Sequence, residues 1–143
     1  MSLAKHLESQ QLAVLQLVVL LEQERRALAQ GRVDRENLSE LTKHKQVVLQ
    51  RLEQLEIVRA TAQSKLGYGP GRQGALKAAQ DADCVAIWKQ LQASAQRAKD
   101  LNAANGGALS QRITYNQRIL SFLNGVIGSR LYGPDGRAQR SNL

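Results

Sequence analysis

At 143 residues and 15.8 kDa the chain is sized for one domain that buries a core without disulfides or metals. Twenty lysines and arginines against twelve acids leave a net charge of +8. A single cysteine, Cys84, excludes an internal disulfide and fits a reducing compartment. The longest apolar run, 12–21, is broken by Gln16 and falls short of the roughly 18 residues a membrane crossing needs.

The start, Met1-Ser2-Leu3-Ala4-Lys5-His6, lacks the charged, apolar and cleavable regions of a signal peptide, so a soluble cytoplasmic protein is expected. Leu7, Val14, Leu21 and Leu28 recur every seven residues, with Leu3 and Leu17 between them, which is the seam of a coiled coil. Ser2 is placed to cap this first helix and Gly31 to stop it. Asp34 then caps a second helix with Glu36 in its first turn. Its seam reads Leu38, Leu41, Lys45, Val48, Leu52, Leu55, Arg59, Ala62 and Leu66, about 50 Å of helix. A link this short forces the two helices into an antiparallel hairpin. Lys45 and Arg59 stand where leucines belong. Either their stems cover apolar surface while the heads reach water or a carboxylate, or they set register or meet a partner.

Residues 67–74 read as a flexible glycine-rich loop, a hinge between the hairpin and the third helix. The spacing Gly69-x-Gly71-x-x-Gly74 matches a dinucleotide fingerprint, but a long helix precedes it where that mechanism requires a strand. No cofactor is expected. The third helix starts between Ala75 and Asp83, with Asp81 or Asp83 as its cap, and carries Trp88, Leu91, Ala95, Ala98, Leu101 and Asn102 in a three-four rhythm. Asn102-x-x-Asn105-Gly106-Gly107 comes next, where the chain kinks or loosens.

The last helix carries two apolar stripes. Leu109, Ile113, Asn116, Leu120, Leu123 and Ile127 form one; Tyr115, Ile119, Phe122 and Val126 form the second, about 110° further round. One stripe suffices for packing on the hairpin. The second either docks a partner or is buried as the helix sinks into a groove, and the residues leave both readings open. Gly125 and Gly128 weaken its final turns, as in a segment that orders on binding. Tyr132, in the turn Leu131-Tyr132-Gly133-Pro134-Asp135-Gly136, is a satellite core residue or an exposed anchor, and beyond Arg137 the tail is polar.

Catalysis is not expected. His6 and His44 are far apart in sequence and read as surface residues. No zinc-binding histidine motif, cysteine pair or Ser-His-Asp arrangement stands out, and Asp81 with Asp83 suits a helix cap better than a metal site. Cys84 reads as a structural thiol. The basic charge is concentrated beyond residue 66, where ten cations face four acids. That imbalance allows a nucleic-acid reading, but the arginines alternate with apolar stripes rather than forming a ridge, so nucleic acid is not the expected partner. Steering towards an acidic protein partner is another use for the charge. A structural coiled-coil oligomer is a further alternative, because residues 12–21 are apolar nearly all round.

Several pieces in fixed order carry a resemblance: Leu20-Leu21-Glu22-x-Glu24 with Ala27-Leu28; Lys45, Leu49, Leu52 and Glu53-x-Leu55-Glu56; Trp88 and Leu91; Asn102 with Asn105-Gly106; and Leu131-Tyr132-Gly133-Pro134-Asp135-Gly136. Together they resemble the FlgN family of flagellar type III export chaperones over nearly the whole chain. The resemblance implies a cytosolic chaperone, without cofactor or catalysis, that binds the hook-filament junction (hook-associated) proteins FlgK and FlgL before export and docks on the export gate. It implies cargo contacts on the last helix, at Ile113, Tyr115, Ile119, Leu120, Phe122, Leu123, Val126, Ile127 and Leu131, with Tyr132 as candidate for the gate. The fold expected is all-α: a hairpin over 1–66, a loop over 67–74, a helical region over 75–131 packed along the hairpin, and a tail over 132–143, with a homo-oligomer possible and no membrane insertion.

Overall fold

A computed structural model of the chain describes residues 2–30, 34–106 and 110–128, with side chains throughout except at 110–115. Five helices succeed one another: α1 (Leu3–Ala29), α2 (Arg35–Lys65), α3 (Gly71–Asp81), α4 (Val85–Asn105) and α5 (Ser110–Ile127). Among the described residues there is no strand, and no helix is long and apolar enough to cross a membrane.

Capping sets where the first two helices begin. The Ser2 hydroxyl accepts from the Lys5 amide at 3.2 Å, and the Asp34 carboxylate accepts from the Asn37 amide at 3.2 Å. Gly31, the expected stop of α1, lies outside the described residues, and the C-cap is Gln30. The hairpin is antiparallel. The His6 Nε2 is 2.8 Å from the Leu55 carbonyl near one end, and the Lys45 ammonium meets Glu24 nearer the other.

Helix α1 also packs on α4, and the two run parallel: Gln11 donates to Ser94 Oγ at 2.9 Å, and further along Asn105 Nδ2 donates to the Leu21 carbonyl at 2.9 Å. Helix α5 returns antiparallel along α4 and touches α2 as well. The four long helices therefore stand at the corners of a bundle in the order α1, α2, α5, α4, so that α1 is opposite α5. The core between them is leucine-rich, with Leu7, Leu17, Leu21, Leu49, Leu52, Leu91 and Leu123 at 1% exposure or less.

Because α2 and α4 are diagonal neighbours, the chain between them must cross an end of the bundle. Helix α3 does this, touching α2, α4 and α5. It corrects the expectation of a loop through residue 74 and of a single helix starting later. The loop closes at Gly71, whose φ of +77° suits glycine, and Ala82, Asp83 and Cys84 separate α3 from α4. Neither aspartate caps a helix start. Asp81 ends α3 and accepts from the Tyr68 hydroxyl at 2.6 Å, while Asp83 takes a φ of +53° and Cys84 occupies the N-cap of α4 without a side-chain cap bond. The Asp81 hydrogen bond, with some desolvation and the carboxylate's charge, raises the Tyr68 pKa above its usual value.

The glycine spacing is thus explained by packing. Gln63 Nε2 donates to the Gly69 and Gly71 carbonyls at 2.6 and 3.2 Å, and a Cβ on Gly74 would collide with the Gly69 carbonyl. Because the obstacle is backbone, Gly74→Ala is expected to cost about 1–3 kcal/mol in thermal unfolding. An unchanged melting temperature would show that the loop yields freely.

The seam of α2 also departs from a strict heptad. Leu38, Leu41, Lys45, Leu49, Leu52, Arg59 and Gln63 are buried, whereas Ala62 and Leu66 are exposed. A helix of 3.6 residues per turn drifts by about 20° per heptad, and over this length the drift moves Gln63 inward and Leu66 outward.

Candidate partner-binding surfaces

For the second stripe of the last helix the sequence left two readings, a free docking face or burial in a groove. The structure places that surface inside. Ile119 and Leu123 are 0% exposed, Val126 is 2% and Phe122 is 9%, all within the main core. Leu120 and Ile127 are half-buried, and Ile127 packs against the core. Three described members of the second stripe are therefore sealed in the monomer. The physical reason is the corner position of α5: it faces α2 and α4 together, with α3 at its end, and two neighbours bury a wider arc than one. The backbone of Ile113 and Tyr115 belongs to α5, but their side chains, and all of Leu131 and Tyr132, lie outside the described residues.

Beneath α5 lies a polar junction. Lys45 and Glu24 are both 0% exposed, and the ammonium donates to Glu24 Oε2 at 2.8 Å and to Asn116 Oδ1 at 3.1 Å. Asn116 Nδ2 donates to the Gly106 carbonyl at 2.5 Å, and Asn102 Nδ2 donates to the Asn116 carbonyl at 3.0 Å. Asn105 Nδ2 donates to Glu24 Oε1 at 2.9 Å. Side chains from α1, α2, α4 and α5 meet in this one cluster. Lys45 thus reaches a carboxylate and not water, and its burial rules out an exposed head.

Arg59 is handled differently. Its guanidinium grips Glu56 through two bonds of 3.0 and 2.7 Å, donates to Gln63 Oε1 at 2.6 Å, and lies 5.5 Å from the centre of the Trp88 ring. Gln10, itself buried, donates to the same Glu56 at 3.1 Å. His6, expected at the surface, is buried beside it.

Exposed apolar side chains lie elsewhere, on the hairpin. Leu12, Leu15 and Val19 of α1 and Val47 of α2 are 42–65% exposed, and Val19 and Val47 line a shallow groove with Gln16, Gln23 and His44. A second groove at the α3 end of the bundle is lined by Leu3, Val58, Ala62, Leu66, Ala75 and Trp88. The all-round apolar character of residues 12–21 was legible in the sequence, whereas the second groove depends on how α3 crosses the end of the bundle.

The described residues hold no cluster of three or more metal-ligating side chains. Cys84 is buried, and burial followed by the charge of Asp83 raises its pKa, which suppresses the reactive thiolate.

The chain matches the family model described as FlgN protein over residues 1–140. It is similar to the flagella synthesis protein FlgN of Proteus mirabilis, 35% identical over 87% of this chain and 81% of that one. The protein of the same description from Yersinia enterocolitica is 30% identical over 94% of this chain and 88% of that one. Its counterpart in Salmonella typhimurium is 29% identical over 88% and 82%. No solved structure matches the chain. A model match over nearly the full length, joined by relatives of one description, establishes that the chain belongs to the FlgN family.

Proposed function

We propose that this protein is a cytoplasmic, non-enzymatic chaperone of flagellar type III export that shields the hook-filament junction proteins FlgK and FlgL, and that α5 is the element that yields to them. The family places it in flagellum synthesis. The observation that supports the finer reading is the burial of Ile119, Phe122, Leu123 and Val126 between α2, α3 and α4. The bundle already holds an amphipathic helix in a groove, so a cargo helix of the same pattern competes for the same walls. Displaced, α5 would offer Ile113, Tyr115, Ile119, Leu120, Phe122, Leu123, Val126, Ile127 and Leu131 to cargo, while Tyr132 would meet the export gate.

Helix α5 is suited to leaving. It stands opposite α1, so the contacts of α1 with α2 and α4 do not depend on it. Its outer ties are solvent-accessible: Arg118 pairs with Glu53 at 2.7 Å, and Arg72 donates to the Ile127 carbonyl at 2.9 Å. Such exposed pairs contribute about 0–1 kcal/mol.

The test joins α5 to α2 through Glu53→Cys and Arg118→Cys, bridged by a short bis-maleimide, and measures co-purification of FlgK and FlgL. The unbridged double variant is expected to capture both, and the bridged form neither. Equal capture by both forms would remove α5 exchange from the mechanism. Capture by neither, nor by the unaltered protein, would remove the chaperone reading itself.

A further inference from the structure

Two asparagines of the chain are followed by glycine, Asn105 and Asn124. Such a step has a chemistry of its own. Glycine has no side chain to crowd its amide nitrogen, so that nitrogen can approach the side-chain carbonyl carbon of the asparagine before it. The two steps occupy different places in the fold. Asn124 lies inside α5, which continues to Ile127, and the Gly128 amide still bonds to the Asn124 carbonyl at 2.8 Å. Asn105 is the last residue of α4, and the exposed Gly106 after it has left the helix, with φ +60° and ψ −160°. Freeing Asn105 needs only the last turn of a helix to open, the part of a fold that opens most readily.

The polar junction is what holds Asn105 closed. Its Nδ2 donates to the Leu21 carbonyl and to Glu24 Oε1, both at 2.9 Å. Its buried Oδ1 has no hydrogen-bond partner among the described residues, so the side chain is held through its nitrogen. The Gly106 amide donates to the Asn102 carbonyl at 3.2 Å, and the Gly106 carbonyl accepts from Asn116 Nδ2 of α5 at 2.5 Å. Both reacting groups are therefore tied, and one tie belongs to α5.

We propose that Asn105-Gly106 is a deamidation site guarded by α5, and that its product keeps the junction open. When α5 lifts, the Gly106 nitrogen bonds to Asn105 Cγ. Its proton passes through water to the side-chain nitrogen, which leaves as ammonia, and a cyclic imide remains. Water then opens the imide at either carbonyl, giving aspartate or, with the main chain rerouted through the side chain, isoaspartate. Water is consumed, ammonia is released, and nothing is oxidised. The product no longer fits. An aspartate carboxylate has no proton to give the Leu21 carbonyl, and it stands where the amide faced Glu24 Oε1 at 2.9 Å, so like charges meet. Isoaspartate adds a methylene to the backbone at the end of α4 and shifts Gly106 away from Asn102. The inference rests on the capacity of α5 to lift, as proposed above, and on no particular cargo.

Incubating the full chain in warm, mildly alkaline buffer, then digesting it with trypsin for mass spectrometry, tests the inference. Cleavage at Lys99, Arg112 and Arg130 separates the two steps into the stretches 100–112 and 113–130. Exchange of amide nitrogen for oxygen is expected at Asn105 before Asn124. Asn116→Ala is expected to speed it about tenfold, the effect of one hydrogen bond on the opening step. Bridging α5 to α2 through Glu53→Cys and Arg118→Cys is expected to slow it relative to the unbridged double variant. Should Asn116→Ala fail to fold, the bridged and unbridged pair decides alone. Asn105→Asp makes one product directly. It should unfold at lower denaturant than Asn105→Ala, which loses the same bonds without adding a charge, and Glu24→Gln in the same chain should recover the difference. Equal rates at Asn105 and Asn124, or a rate at Asn105 unmoved by the bridge, overturn the guarded site. Asn105→Asp as stable as Asn105→Ala overturns the effect of the product. Capture of FlgK and FlgL by the same bridged protein is scored separately, so failure of the chaperone reading and failure of this one are told apart.

Discussion

Lys45→Ala is expected to destabilise the protein by about 3–5 kcal/mol, read as a lower denaturant midpoint at unchanged slope. The substitution leaves the Glu24 carboxylate at 0% exposure without the ammonium that faces it at 2.8 Å. It also takes the donor from Asn116 Oδ1, so α5 loses one of its inner ties together with the pair. The paired replacement Glu24→Met with Lys45→Met should behave in the opposite sense. Two apolar side chains of similar length avoid the cost of drying two charges, and stability is expected to be equal or greater by about 1–4 kcal/mol. What the paired variant loses is discrimination between registers. A loss below about 1 kcal/mol in Lys45→Ala would mean that water reaches the site, contrary to its burial.

Ile119→Ala is expected to cost about 2–5 kcal/mol, because this side chain of the second stripe is 0% exposed within the main core and the cavity left behind has no freedom to collapse among its packed neighbours. Leu12→Ala, at 64% exposure, should stay within about 0.5 kcal/mol. The contrast decides a question the sequence left open. A helix stripe kept free for a partner would tolerate alanine in the unbound protein as readily as Leu12 does. A large loss at Ile119 with none at Leu12 means that the second stripe is part of the resting fold, and that any partner using it must first displace α5. Deleting α5 outright is therefore expected to leave a protein that unfolds more easily, with Lys45 and Glu24 uncovered, so loss of capture in a truncation would not by itself locate the binding surface. The bridged double-cysteine protein avoids this difficulty, since it keeps every core contact in place.

The residues that carried the family resemblance acquire a common physical meaning in the bundle. Glu24, Lys45, Asn102, Asn105 and Gly106 stood far apart in the sequence, in three weak helical motifs. All of them take part in one junction that runs from the buried Glu24–Lys45 pair out to the exposed Gly106, with Asn116 of α5 as the member that joins the last helix to the rest. Such a cluster is costly to dry, and its best-attested use is to fix how helices align. Its location under α5 also ties the hairpin to the element proposed to move.

The sequence by itself determined the helical class, the hairpin and its caps, because these depend on local backbone preference and on a period repeated over many turns. It also held the hairpin register. Gln10 and Glu24 occupy seam positions of α1 fourteen residues apart, Lys45 and Arg59 do the same on α2, and one antiparallel alignment brings Glu24 to Lys45 and Gln10 to the Glu56 that grips Arg59. Sliding by a heptad would set leucines against charges. Only the tertiary structure decided that α3 crosses the bundle end, that α5 takes a corner between two helices, and hence that Ile119, Phe122 and Val126 are core while Leu12, Val19 and Val47 face outward. Periodicity fixes which residues share a face of a helix. How many neighbours that face meets is set by the packing of the other helices, and no single helix encodes it.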